Sequence, residues 1–186
     1  MKSQIIRILV LVAFSFSAMA VAQKHPSKSP DDSHALLVKY MKFIELSMFA
    51  FKSSFTQGCI THQSREFCSK HIPKLNSEKL QDLYVLGLKR EMTNKDLEPI
   101  IQFLETRNGQ IFSEISYQQN IGNKRYLDGI PDISAEKIEA INQFRQTPGF
   151  KNFEVKLNQF YAENMNAIQL YILKESAIAL KAMVLE

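Results

Sequence analysis

The apolar residues of this chain recur at helical spacing over almost its whole length. From about residue 34 onward they return every three or four positions, and runs of β-branched residues are few. Only six glycines occur among the 186 residues. The pattern predicts an all-α protein in which residues 34–186 form a single bundle of about six to seven helices.

The first predicted helix runs to about Gln57. Ser33, or one of the two aspartates before it, can cap this helix, and Gly58 is placed as its C-terminal stop. Its apolar stripe is wide, which indicates deep packing. The stripe consists of Leu37, Met41, Ile44, Met48, Phe51 and Phe55.

A second amphipathic helix is predicted for residues 76–92, where Asn76 or Ser77 can act as the N-cap. Its apolar side consists of Leu80, Leu83, Tyr84 and Leu88. Between the two helices lies a segment that contains both cysteines of the chain.

Two later segments, about 93–127 and 134–185, repeat one pattern at a spacing of 41 residues. The repetition is clearest between "IIQFLETRNGQIF" (100–112) and "INQFRQTPGFKNF" (141–153). Each copy has apolar positions at helical spacing, then a threonine, then further apolar positions. This predicts a duplicated helical hairpin, since a short helix, a tight corner and a second helix need these residue types. Two copies are too few for a solenoid.

The corner residues are Thr106 and Gly109 in the first copy, and Thr147, Pro148 and Gly149 in the second. Proline disfavours an α conformation in the residue before it and suits the first position of a helix. We therefore expect the second helix of each hairpin to be capped by its threonine.

Two features distinguish the first copy. Gly109 is one place later than the alignment with Gly149 requires, so we expect a looser corner there. Pro99 is tolerated only near the start of a helix, so we expect the first short helix to begin nearer Asp96 than Thr93.

The last helix is predicted to be the longest, from about Pro148 to Leu185. Its buried side is expected to carry Phe150, Phe153, Leu157, Phe160, Met165, Ile168, Ile172, Ala179 and Met183. Further large apolar residues lie elsewhere on it: Tyr161, Leu170, Tyr171 and Leu173. They indicate either burial on several faces, which is the more frequent outcome, or an apolar face presented to a partner.

The stretch "ISAEKIEAINQFRQTPGFKNFEVKL" resembles a widespread family of exported bacterial all-helical domains of unassigned function that carry a T-P-x-G helix corner. The resemblance covers about 130–175 well and 90–112 more weakly. In this chain Arg145 stands where the family has a second aromatic residue, and Gly149 follows Pro148 directly. The resemblance implies a helical fold and export, and it transfers no catalytic residue.

Residues 1–22 have the pattern of a secretory signal peptide. Lys2 and Arg7 precede an apolar run too short to cross a bilayer, and small residues allow cleavage after Ala20 or Ala22. The polar stretch 23–33 is then a disordered leader. We therefore expect a periplasmic or secreted protein with no membrane span after cleavage.

Removal of the signal changes the charge balance. The full chain has 23 Lys+Arg and 19 Asp+Glu; without Lys2 and Arg7 the balance is 21 to 19, or +2. No dense basic run remains that would favour nucleic acid as a partner.

The cysteine segment "CITHQSREFCSKH" (59–71) allows two interpretations. An exported chain with two cysteines favours a Cys59–Cys68 disulfide, worth about 2–3 kcal/mol for so short a loop. The alternative is a zinc site made by Cys59, His62, Cys68 and His71. A cysteine nucleophile is disfavoured, because it would need a persistently reduced thiol.

No catalytic or nucleotide-binding motif occurs in the chain, so we expect no enzyme and no cofactor. The hypothesis that follows is a non-enzymatic module that binds another periplasmic protein. One version is an immunity or inhibitor protein that neutralises a toxin or hydrolase. The alternatives are a carrier of an apolar ligand, and an enzyme whose site forms only in the fold. Such a site could contain His62 and His71, or carboxylates such as Glu45, Glu66, Glu105 and Glu114.

Overall fold

The computed structural model describes residues 33–123 and 133–184, and within these ranges it contains eight α-helices and no β-strand. The helices are α1 (Ser33–Tyr40), α2 (Phe43–Ile60), α3 (Arg65–Lys70), α4 (Ser77–Glu91), α5 (Asn94–Leu104), α6 (Arg107–Asn120), α7 (Ala135–Arg145) and α8 (Pro148–Val184). The all-α class is confirmed. The predicted signal peptide (1–22) and the leader up to residue 32 lie outside the described residues.

The long helix α8 organises the core. It packs against α2, α4 and α5, and α1 closes the core by packing on α4 and α5. The predicted buried side of α8 is confirmed at its largest residues, since Phe153, Phe160 and Ile168 are almost fully buried. They meet side chains of similar burial from the other helices, namely Leu37, Phe51, Leu80, Leu88, Leu97 and Leu104.

The first predicted helix is in fact two helices. This break and the short helix α3 both contribute to the eight helices of the described residues. The chain turns between α1 and α2 at Lys42, whose φ of 54° places it in the left-handed region. That conformation is costly for a residue with a Cβ. Helix α6 holds the turn: Ser113 donates its hydroxyl proton to the Tyr40 carbonyl, and Lys42 pairs with Glu114. The apolar spacing continues through this turn, so the sequence pattern does not reveal it.

The expected role of Gly58 is also wrong, because α2 continues past it to Ile60. Gly58 instead marks a close approach between α2 and α8. A Cβ built at Gly58 would lie 2.6 Å from Cδ1 of Leu180. The missing side chain therefore serves packing rather than helix termination.

Helix α4 follows the prediction closely. Asn76 is its N-cap and accepts a hydrogen bond from the backbone N–H of Lys79 at 3.0 Å. Leu80, Tyr84 and Leu88 are buried as expected. The Tyr84 hydroxyl pairs with the Ser47 hydroxyl of α2 at 2.9 Å, so the polar end of this buried ring is satisfied.

The expected start of α5 is wrong, because the helix begins at Asn94 and contains Pro99 in its interior. Its start is fixed by a capping box: Asp96 N–H donates to the Thr93 hydroxyl, and Thr93 N–H donates to the Asp96 carboxylate at 2.8 Å. These two reciprocal hydrogen bonds fix the start of α5 at Asn94, although this places Pro99 beyond the first turn that proline prefers.

The two hairpins are α5–α6 and α7–α8, and the helix breaks within them lie at 105–106 and 146–147. Helix α5 packs on α8 and α6 packs on α7, which are equivalent pairings under exchange of the two hairpins. Phe103 and Phe144, which the 41-residue repeat aligns, stack with ring centroids 3.7 Å apart. Residues that the repeat aligns in sequence thus contact each other where the two hairpins pack together. The predicted ends of the repeats, at 127 and 185, lie outside the described residues.

In the part of the chain that the structure describes, no helix is both long enough and apolar enough to cross a membrane.

Candidate interaction surface

The cysteine segment contains the predicted disulfide. Cys59 near the end of α2 and Cys68 on α3 are bonded, with Cα atoms 5.8 Å apart, and neither cysteine is exposed. The bond lies in a small apolar cluster with Phe55, Leu180 and Met183. The disulfide therefore fixes the short helix α3 against the C-terminal part of α8.

The histidines of this segment do not complete a metal site. His62 is exposed in the turn after α2, and His71 is held by its own helix. The His71 Nδ1 lies 2.9 Å from the Phe67 carbonyl oxygen, and the imidazole stacks on the Phe67 ring at 4.0 Å. A zinc site needs two free thiolates, and both sulfurs are used in the disulfide. Across residues 33–123 and 133–184, no group of three or more His, Cys, Asp or Glu side chains could hold a metal ion.

Two of the glutamates that could have formed a catalytic pair, Glu105 and Glu114, are engaged separately. Glu105 accepts a hydrogen bond from the Tyr40 hydroxyl at 3.2 Å. Glu114 accepts from Lys42 and from Gln118, and these hydrogen bonds, that from Lys42 foremost, lower the pKa of its carboxyl group. A carboxylate with a depressed pKa is a poor general acid at neutral pH. Both glutamates serve the turn between α1 and α2.

A shallow groove lies between α1, α2 and α4. Its walls are apolar and its edge carries a few polar groups; the lining consists of Ala35, Leu36, Val38, Lys39, Ile44, Glu45 and Gln81. The groove is partly open to solvent, whereas sites for apolar ligands usually enclose most of the ligand. It gives little support to a carrier.

Helix α8 carries the most prominent apolar surface. Leu170 is 67% exposed and Leu173 is 55% exposed, so the favoured expectation that they are buried is wrong. Tyr171, in contrast, is buried. At 100° per residue, Leu170 and Leu173 point away from the side of α8 that Phe160 and Ile168 bury.

These leucines belong to a longer uncharged surface, which we call the outer stripe of α8. Its members are all exposed and lie within about 80° of one another around the helix; they are Val155, Gln159, Ala162, Asn166, Leu170, Leu173 and Ala177. The 23 residues from Val155 to Ala177 span about 33 Å. No charged residue interrupts the stripe over this length. Sequence periodicity identified its leucines but could not establish that no other helix covers them.

Tyr161 lies beside the buried face of α8 and is only partly covered. Its ring contacts Phe43 edge-on, with centroids 6.3 Å apart. Burial, with a smaller effect of Tyr84, raises the pKa of the Tyr161 hydroxyl to about 12. A phenol with so high a pKa remains neutral and is unsuited to act as a base at physiological pH.

Comparison with known proteins gave no match: no family model, no curated protein and no solved structure is significantly similar to this chain. The resemblance to exported helical domains therefore stays a prediction from sequence.

Proposed function

We propose that this protein is an exported, non-enzymatic protein-interaction module, and that the outer stripe of α8 is its binding surface. The single observation that supports this most strongly is the exposure of Leu170 and Leu173 on an uncharged helix face. An exposed apolar strip bordered by polar residues is typical of surfaces that bind another protein. An amphipathic helix face of this kind presents anchors at spacings of three and four residues.

The disulfide and the core support the same function by making α8 rigid. Helix α8 packs against α2, α4 and α5, and its C-terminal part is held by the Cys59–Cys68 cluster. A rigid helix loses little conformational entropy on binding, which favours affinity. Export is proposed from the signal-like residues 1–22 and from the disulfide, which persists in oxidising compartments.

The test combines location with binding. Fractionation of producing cells followed by N-terminal sequencing should find a mature chain that begins at residue 21 or 23. Purification of that chain under mild crosslinking should retain a partner, and Leu173→Asp should abolish the retention. Leu86→Asp is the matched control, because Leu86 on α4 is also 55% exposed but lies outside the stripe. Equal loss with both variants, or with neither, would contradict the assignment of the stripe.

A further inference from the structure

The charges beside the outer stripe are arranged for a specific kind of partner. Glu163 and Lys174 are both exposed, and neither forms an ion pair among the described residues. They are 11 residues apart, which is close to three helical turns, so they lie on the same flank of the stripe about 16 Å apart. One flank thus carries an acidic and a basic residue placed symmetrically about a point between Ile168 and Gln169.

We propose that the outer stripe of α8 pairs with the same stripe of a second copy of this chain, with the two helices antiparallel. This rests on the proposed function and names the partner of that surface. A twofold axis perpendicular to two antiparallel helices keeps each flank facing the same flank of its partner. With the axis between residues 168 and 169, Glu163 of one copy lies level with Lys174 of the other, and the reciprocal pair forms by symmetry.

The uncharged residues fit this register as well. In this register Leu173 of one copy comes level with Asn164 of the other and so lies between the stripe residues Ala162 and Asn166, and Leu170 comes level with Ala167, next to Asn166. Large side chains therefore face small or polar ones, which lets two helices approach closely. A parallel pair, with its twofold axis along the helices, would bring opposite flanks together, so Glu163 and Lys174 of one copy would have no charged partner on the facing flank of the other.

The outer ends of the stripe are also compatible. The same register brings Lys181 level with Lys156 of the other copy. The charge of Lys156 is already compensated, because its ammonium group lies 2.7 Å from the Asp96 carboxylate. Only the central Glu163–Lys174 pairs then select the register.

The experiment is sedimentation equilibrium of the mature, disulfide-bonded chain over a range of concentrations. We expect a monomer–dimer equilibrium in the micromolar range, as is usual for small interfaces. Leu173→Asp should weaken the dimer more than a hundredfold, since it buries a charge twice in the symmetric interface. Leu86→Asp should leave it unchanged, and circular dichroism should confirm that both variants are folded.

Charge reversal tests the register. Glu163→Lys alone and Lys174→Glu alone should each weaken the dimer about tenfold, because every dimer contains two such pairs. The double variant E163K/K174E should restore the original affinity. A chain that stays monomeric, a dimer insensitive to Leu173→Asp, or a double variant no better than the single ones would overturn the antiparallel pairing. If the chain is monomeric but Leu173→Asp still loses a crosslinked partner, self-pairing is wrong and the interaction module stands; if neither assay responds, both are wrong.

Discussion

The two corners of the repeated hairpins share one cap but differ in how closely their helices approach. At both corners the threonine donates its hydroxyl proton to the carbonyl three residues earlier, at 2.7 Å, and accepts from the N–H three residues later. The residue that supplies this N–H is Gly109 in the first corner and Phe150 in the second. The shared cap fixes where each helix begins, and the third residue of the helix, Gly109 or Phe150, determines the packing around the corner.

Gly109 makes the first corner the tighter of the two, which contradicts the looser corner expected from the sequence. A Cβ at Gly109 would lie 2.0 Å from the Phe103 carbonyl oxygen and 2.5 Å from the Leu104 Cα. Helix α5 therefore packs extensively on α6, whereas α7 and α8 make few contacts with each other. At the second corner the Phe150 ring packs edge-on against Phe144 and Phe112 instead.

The largest expected effect comes from giving the first corner a side chain. Gly109→Ala should destabilise the protein by about 3 kcal/mol, because the atoms in the way are backbone and cannot rotate aside. For a domain of this size, that lowers the melting temperature by about 10 °C. Thermal unfolding followed by circular dichroism measures the change.

Gly149→Ala is the matched control in the second corner. A Cβ there meets only the Pro99 ring, at 3.4 Å, so the change should be within about 0.5 kcal/mol of neutral. Equal destabilisation by the two variants would contradict the close approach at Gly109 as the cause, since helix propensity alone favours alanine over glycine at both positions.

The starts of the two hairpins differ more than their corners do. Thr93 and Asp96 form the capping box of α5, and Asp96 also binds two residues of α8, Lys156 at 2.7 Å and Asn152 at 3.0 Å. Ser134, which the repeat aligns with Thr93, makes no side-chain cap bond to α7. The start of the first hairpin is thus bound to α8 through the Asp96 carboxylate. The start of the second hairpin, at Ser134, has no such cap.

Asp96→Asn should therefore cost about 2 kcal/mol at pH 7, since it removes a charged acceptor shared by a cap and an ion pair. The hydrogen bond from Lys156, assisted by the Thr93 bonds, lowers the pKa of Asp96 well below its ordinary value of 3.8. A carboxyl whose folded pKa is depressed stabilises the fold above its unfolded pKa and loses that contribution as the pH falls.

The measurement is urea unfolding of both proteins at pH 7 and near pH 3. The difference between wild type and Asp96→Asn should be largest at pH 7 and shrink below about pH 4. Ser134→Ala, the control at the aligned position, should change stability by less than about 0.5 kcal/mol at either pH. A wild-type advantage that grows toward acid would contradict the pKa argument.

The sequence was sufficient for features that depend on local chemistry. The helical class, the caps of α4, α6 and α8, the disulfide and the aligned threonines follow from residue type and spacing alone. The break at Lys42 did not, because a left-handed lysine is held by Ser113 and Glu114 from a distant helix. Long-range contacts of this kind leave no periodic signal.

The candidate surface was predictable only in part, for a related reason. Spacing shows that α8 has too many apolar residues for one buried face, but it cannot show which of them another helix covers. Burial distinguishes core residues from surface residues on this helix: Tyr171 is buried and Leu170 is exposed. Arg145 is partly buried in the same way, since its guanidinium lies 5.9 Å from the centroid of the Phe150 ring.

The smallest effects test whether the two caps are truly equivalent. Thr106→Ala and Thr147→Ala should each destabilise the protein by about 1 kcal/mol, because each removes one cap bond to a backbone N–H. The bond at Thr106 measures 3.0 Å and that at Thr147 3.2 Å, and Pro148 needs no partner because it has no N–H. Thr147→Ala should therefore be slightly milder, and Thr147→Ser, which keeps the oxygen, should be nearly neutral.

Urea unfolding of the single variants and of the double variant measures both the losses of stability and their additivity. The stacked Phe103 and Phe144 rings link the two corners, so we expect the double variant to lose more than the two single losses combined. Strictly additive losses in the free energy of unfolding would mean that each cap stabilises its own corner independently of the contact between the hairpins.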